Sequence, residues 1–164
     1  MHGRISNTPA EIFSVKKEWK NNVYTLSAEG SLREGCFFGR NLELKRRISA
    51  HTGENSIFIE DEAVNHGSRP DTVKILYHIN IGYPLLSEHA KLIAPEHKIL
   101  PRDEAALAGI NDWSYFREPE NNFQEQVFMH NIPPDSSGYA AITVENKKLG
   151  LACRSATVKT LCPI

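Results

Sequence analysis

The chain has 164 residues, 40% apolar and 24% charged, the balance of an ordinary soluble globular protein long enough for one domain with a core. Nineteen Lys and Arg stand against twenty Asp and Glu for a net charge of -1, with no basic run beyond Lys45-Arg46-Arg47, so nothing electrostatic points to nucleic acid or an anionic membrane as partner. The three cysteines, Cys36, Cys153 and Cys162, are widely spaced and form no CxxC pair; Met1-His2-Gly3-Arg4 opens no signal sequence and no apolar run nears the about eighteen residues of a membrane span, so a reducing cytoplasm is the expected setting.

In chain order, short alternating segments dominate. Val23 to Ala28 reads as a strand, followed by turns at Gly30 and Gly35. In Asn41 to Ile48, Leu42, Leu44 and Ile48 fall on one face. Ser56 to Glu60 and Val73 to Tyr77 follow, set off by polar clusters at His51 to Asn55 and Asn65 to Pro70. Period-two patterning broken by turn clusters argues for an all-β antiparallel sandwich or barrel.

The one helical signal is Asp103 to Ala108, with Pro101 before it, acids at its start, alanines within and Gly109 after it. Strand patterning resumes at Glu125 to His130, Tyr139 to Val144 and Leu149 to Ala152. The first two are separated by a turn at Pro133 to Gly138 and the last two by a hairpin at Asn146-Lys147-Lys148. Thr160 to Ile164 adds no closing element, which predicts an unpaired sheet edge.

The segment Tyr77 to Leu86 is the most informative for chemistry. Read as a strand, it puts His78 and Asn80 on one face and Tyr77, Ile79 and Ile81 on the other. An imidazole titrates near neutrality, so His78 suits a general acid, with Asn80 as a hydrogen-bonding companion. A core histidine satisfied by backbone is the competing reading. His2-Gly3-Arg4-Ile5-Ser6-Asn7 places a guanidinium beside a permissive glycine, which suits a polyhydroxylated ligand and equally suits a solvated terminus. Glu125 is a carboxylate able to orient a hydroxyl, or an exposed strand glutamate. Trp113, Tyr115 and Phe116 can stack on a sugar ring or close the end of a sandwich. The familiar hydrolase, nucleotide and zinc-protease motifs are absent, and the seven histidines form no adjacent ligand pair, so no metal is expected.

Taken together, His2 to Ala10, Leu76 to Leu86, Pro101 to Ala106 and Glu125 to Phe128 resemble the aldose 1-epimerase family, within a bacterial branch of the galactose mutarotase-like superfamily. The resemblance runs over nearly the whole chain. It implies a β-supersandwich whose one carbohydrate-binding domain takes up 1–164, a sugar as small-molecule partner and no cofactor. It places His78 as the general acid on the ring oxygen. His2, Arg4 and Glu125 become sugar ligands, joining Asn80 as read from its place beside His78, with Glu125 standing where the family carries the shorter aspartate. It says nothing of which sugar is bound or of oligomeric state.

The resemblance also implies a glutamate base beyond a segment like Thr160-Leu161, and family members extend at both ends. The expectation is therefore an incomplete, internal fragment with the acid and without the base, weakly active or inactive as an isomerase. The alternatives are a non-catalytic sugar-binding module and a non-functional gene fragment.

Overall fold

The computed structural model describes residues 4–158. The architecture is all-β, with nine strands among the described residues and one α-helix of a little over a turn, α1 (Glu104–Ala108). The chain divides into two compact units, Met1–Leu76 and Tyr77–Ile164.

The first unit is an antiparallel meander of β1 (Ile12–Lys20), β2 (Val23–Gly35), β3 (Asn41–His51) and β4 (Ile57–Asn65) in the order β1-β2-β3-β4. Its tightest connection is Asn21-Asn22, both with positive φ (51° and 62°), the backbone that a two-residue hairpin needs to match strand twist. Trp19 and Tyr24 flank that turn as a cross-strand pair with ring centroids 5.1 Å apart.

Register then sorts the side chains by face. Val15, Ala28, Ile48 and Ile59 form one cross-strand row, and Lys17, Leu26, Ala50 and Ile57 the next. The opposite face is polar: Ser14, Glu29, Arg47 and Glu60 line up, as do Lys45 and Glu62 beside Ser31. There Glu43 accepts a short hydrogen bond from Ser31 and meets His66 Nε2 at 2.7 Å. The Ser31 hydroxyl, and then His66, hold the Glu43 carboxyl below its usual range. One ion pair breaks the apolar face. Arg46 grips Asp61 with two bonds of 2.7 Å, opposite Gly30, and the Asp61 side chain is only 4% exposed.

The second unit is built from shorter pieces. β8 (Tyr139–Asn146) is the centre of a three-stranded sheet between β5 (Ala90–Ile93) and β9 (Leu151–Val158), and β6 (Lys98–Pro101) pairs with β7 (Phe128–Asn131). Asp103 caps α1, its Oδ1 accepting the Ala106 amide at 3.0 Å. Ala106, Ala90, Val144 and Asn146 are buried.

Several sequence expectations are met. The strands near 23, 41, 56 and 139 and the helix near 103–108 all form, and the turn at 133–138 forms around Asp135, whose carboxylate accepts the Ser137 and Tyr139 amides. Others need correction. Gly30 and Gly35 lie inside β2 and not in turns, because the ladder to β3 runs through both. Val73 to Tyr77 is not a strand, and β1, β5 and β6 were not anticipated. β9 starts at Leu151, after a turn at Lys147–Gly150. The expected bare edge at Thr160 to Ile164 and Cys162 lie outside the described residues, while Cys36 and Cys153 are exposed free thiols. No helix among the described residues is long and apolar enough to cross a membrane.

Candidate functional site

His78 and Asn80 lie between β4 and β5, in a stretch to which no strand is assigned. The strand expected there is thus not assigned, and no ladder among the described residues runs through it. Both residues are exposed, as are Tyr77 and Ile79.

The downstream end of the segment is tied by backbone and side-chain bonds. The Leu86 amide donates to the Gly82 carbonyl at 3.0 Å, closing a bend, and the Ala90 amide donates to the Ser87 carbonyl at 2.9 Å as the chain enters β5. Asn146, at the end of β8 and 0% exposed, reaches into that bend. Its Nδ2 lies 3.1 Å from the Leu85 carbonyl, 3.0 Å from Ser87 Oγ and 3.4 Å from the Pro84 carbonyl. Its Oδ1 accepts the Leu149 amide at 3.2 Å.

Glu125 precedes β7, which begins only at Phe128, so the strand expected from 125 onward is shorter than its sequence pattern. Its side chain is 78% exposed and its Oε2 accepts from Arg102 Nη1 at 3.2 Å. Arg102 is fixed in turn: its Nε donates to Asp103 Oδ2 at 2.8 Å and its backbone amide to the Val127 carbonyl at 3.0 Å. Asp103, and then Glu125, raise the Arg102 pKa further, so the guanidinium is a permanent cation; the Ala106 amide, and then Arg102, hold Asp103 below the usual carboxylate range. The result is a row of carboxylate, guanidinium and carboxylate anchored on the cap of α1, with a Glu125 oxygen presented to solvent. Such an oxygen accepts a hydroxyl well.

Arg4 opens a short 3-10 turn, Arg4–Asn7, in the first unit, and His2 lies outside the described residues. His78, Asn80 and Glu125 belong to the second unit.

The aromatic trio divides. Tyr115 pairs with Lys91, whose Nζ sits 4.6 Å from the ring centroid and 3.0 Å from the hydroxyl. Trp113 instead packs with His97 and His130, at centroid distances of 5.7 and 5.1 Å. The two imidazoles touch, His97 Nε2 lying 2.8 Å from His130 Nδ1. Burial, and then the charge His97 would carry, lower the His130 pKa. Sequence spacing gave no hint of this pair, which are 33 residues apart and meet only through the β6–β7 register. Asn146 was equally hidden, since an asparagine before two lysines looks like any turn residue.

Two concavities stand out. One of about 600 Å³ in the second unit is walled by Lys91, Trp113, Tyr115, Glu145 and Lys147. One of about 480 Å³ lies over the charged face of the first sheet, around Glu29, Glu43, Arg47 and Glu60. His78 is in the wall of neither.

With this geometry in place, similarity to known proteins supplies a lineage. A model of the family described as "Domain of unknown function (DUF4432)" matches residues 1–164. The chain belongs to this family. Among solved structures, this DUF4432 chain is similar to a protein of Klebsiella pneumoniae described as a "putative aldose 1-epimerase", with a TM-score of 0.85 and 30% identity. The match covers 90% of this chain and 38% of that one, so the chain spans well under half the length of its structural relative. No curated protein matches it. The all-β fold is thus epimerase-like, in keeping with the family resemblance read from the sequence.

Proposed function

We propose that this chain binds a sugar, an aldose or a derivative of one, and carries the acid side of aldose 1-epimerase chemistry. The observation that carries the reading is the similarity to the Klebsiella protein, 30% identical over 90% of this chain at a TM-score of 0.85. In the proposed reaction a base takes the proton of the anomeric hydroxyl while His78 protonates the ring oxygen. The open aldehyde rotates about its first carbon–carbon bond, and the ring recloses from the other face. Atoms and charge balance over the cycle, since the proton given by His78 returns to it and the base is restored.

Exposure of His78 and Asn80 leaves both within reach of a small ligand, and Arg102 steers the Glu125 carboxylate, which supports a hydroxyl-binding role for it. His2 and Arg4 complete the proposed set of sugar ligands. Residues 1–164 are taken as one mutarotase-like domain, and the free exposed thiols of Cys36 and Cys153 suit a cytoplasmic setting. No residue of this chain is proposed as the base, and loss of a general base removes on the order of 10²–10⁴-fold of rate. The chain alone is therefore expected to bind without efficient turnover.

Two measurements on the purified chain test this. Freshly dissolved α-galactose or α-glucose is followed by polarimetry, and the His78 ring resonances are followed by NMR during sugar titration. The expected outcome is a saturable shift at His78 with anomer equilibration close to that of buffer. Clear acceleration overturns the base-deficient reading, and a His78 resonance indifferent to both sugars overturns sugar binding.

A further inference from the structure

We infer that the cavity of about 600 Å³ in the second unit is a sugar-binding position of its own, taking a neutral sugar by two neighbouring hydroxyls between Lys91 and Glu145. His78 is not in its wall, so the inference stands apart from the role given to that residue.

β5 and β8 run antiparallel with Lys91 directly opposite Glu145, which sends both side chains out on one face of the sheet. Opposite charges so placed ordinarily close on one another. Here no ion pair joins them. Lys91 turns to Tyr115, its Nζ 3.0 Å from the hydroxyl and 4.6 Å from the ring centroid, while Glu145 meets only Lys147, at 4.0 Å. An ammonium carries three donors, and Lys91 spends one of them on Tyr115. The Glu145 carboxylate, 33% exposed, accepts no side-chain hydrogen bond from the described residues, so its lone pairs are open. Unspent donors and acceptors are thus left one strand spacing apart on the floor of the cavity.

The far wall is fastened to that floor. The Leu92 amide donates to the Ser114 carbonyl at 2.7 Å, and Tyr115 forms a β-bridge with Lys91. Lys91 is therefore fixed by backbone on two sides, against Glu145 and against Tyr115, and its side chain is seated before any ligand arrives.

Charge and surface then select the ligand. Lys91 and Lys147 balance Glu88 and Glu145, so the wall favours neither an anion nor a cation. A hydroxyl donates and accepts at once; of two on adjacent carbons, one serves the carboxylate and the other the ammonium. Ile93, 43% exposed, and Trp113 offer apolar surface to the C–H face of a sugar ring. The volume lies within the range of small-molecule sites, about 300–1,000 Å³.

The experiment follows the Trp113 indole and Ile93 methyl resonances by NMR while the full chain is titrated with glucose, galactose, mannose, galacturonate and inorganic phosphate. Saturable shifts at both residues are expected with at least one of the three neutral sugars. In Lys91→Met and in Glu145→Gln the Kd of that sugar weakens by on the order of tenfold or more, the loss of one hydrogen bond to a charged group. Both positions lie on the surface, and the amides of β8 and β9 keep their protection in both variants. Any response of the His78 ring to the same sugar is unchanged in them, which separates this cavity from the site proposed around His78. Absence of saturable shifts with all three neutral sugars overturns the inference. So do shifts with galacturonate or phosphate alone, which mark an anion site, and an unchanged Kd in either variant.

Discussion

The two units hold themselves together by different means. In the first, three successive strand pairs run for nine, eleven and nine residue partners, so backbone ladders carry most of the order. In the second, the pairs run for four, four and eight, and side chains complete the work: the Asp103 cap, the Arg102 row, and Asn146 in its bend. Long ladders tolerate local change because each residue adds one bond among many. Short ones depend on single polar groups. The residues proposed to meet the sugar fall mostly in the second kind of region, where loops are free to carry chemistry and few atoms fix their position.

The sharpest way to break that contrast is within the long ladder itself. Asp61→Ala strands the Arg46 guanidinium on an apolar face between Ile48, Leu44 and Gly30, and removal of one partner from a buried pair costs about 3–5 kcal/mol. The lower end is expected because Arg46 remains 35% exposed. The two tryptophans report one unit each, Trp19 in β1 and Trp113 in the second unit, so urea unfolding is followed in a Trp113→Phe background. A midpoint shift of Trp19 fluorescence is expected. The double change Arg46→Leu with Asp61→Leu should recover most of it, and a double variant as weak as the single would show that the pair does more than neutralise itself.

Asn146→Ala is the counterpart in the short-ladder unit. It leaves the Leu149 amide and the acceptors of the bend without a protein partner, at a cost of about 2–3 kcal/mol. Followed by Trp113 fluorescence in a Trp19→Phe background, it should lower the midpoint by an amount close to that of Asp61→Ala, although it removes only one side chain from a loop contact. A loss within a few tenths of a kcal/mol, as at an ordinary surface position, would contradict the contrast.

The same contrast explains what was legible in the sequence. Leu42, Leu44 and Ile48 announce their strand because one face of a long ladder must be apolar, and Asp103 announces a helix start because a cap is local. Tyr77 to Leu86 alternates as well, yet no strand is assigned to it, because alternation shows which faces a segment would have and does not by itself make a ladder. Asn146 and the His97–His130 contact depend on pairs 59 to 62 and 33 residues apart, which no local pattern encodes. The motifs around His78 and Glu125 were readable as a family resemblance, while the Arg102 grip on Glu125 needed the fold.

A gentler probe uses pH. The Glu43 carboxyl in the first unit is held below the ordinary range of a glutamate, chiefly by the Ser31 hydroxyl and then by His66. A lowered carboxylate pKa stabilises the fold above the unfolded value and loses that contribution as pH falls through the folded one. Trp19-monitored stability should therefore decline below about pH 4.5, and Glu43→Gln should flatten that decline while changing little near neutrality. An acid limb equally steep in the variant would place the titration elsewhere.

The smallest effect has the opposite sign. Asn21 and Asn22 both sit at positive φ in the hairpin between β1 and β2, a conformation that asparagine tolerates and glycine adopts without a Cβ penalty. Asn22→Gly relieves that strain and also frees the unfolded chain, so the two terms oppose each other and the net gain should be only a few tenths of a kcal/mol. Because the first unit rests on its ladders, relief at one turn should raise the Trp19 midpoint slightly and leave the Trp113 midpoint where it is. A large gain would mean that the turn, and not the ladder, limits the stability of the meander, and the distinction drawn between the two units would then lose its basis.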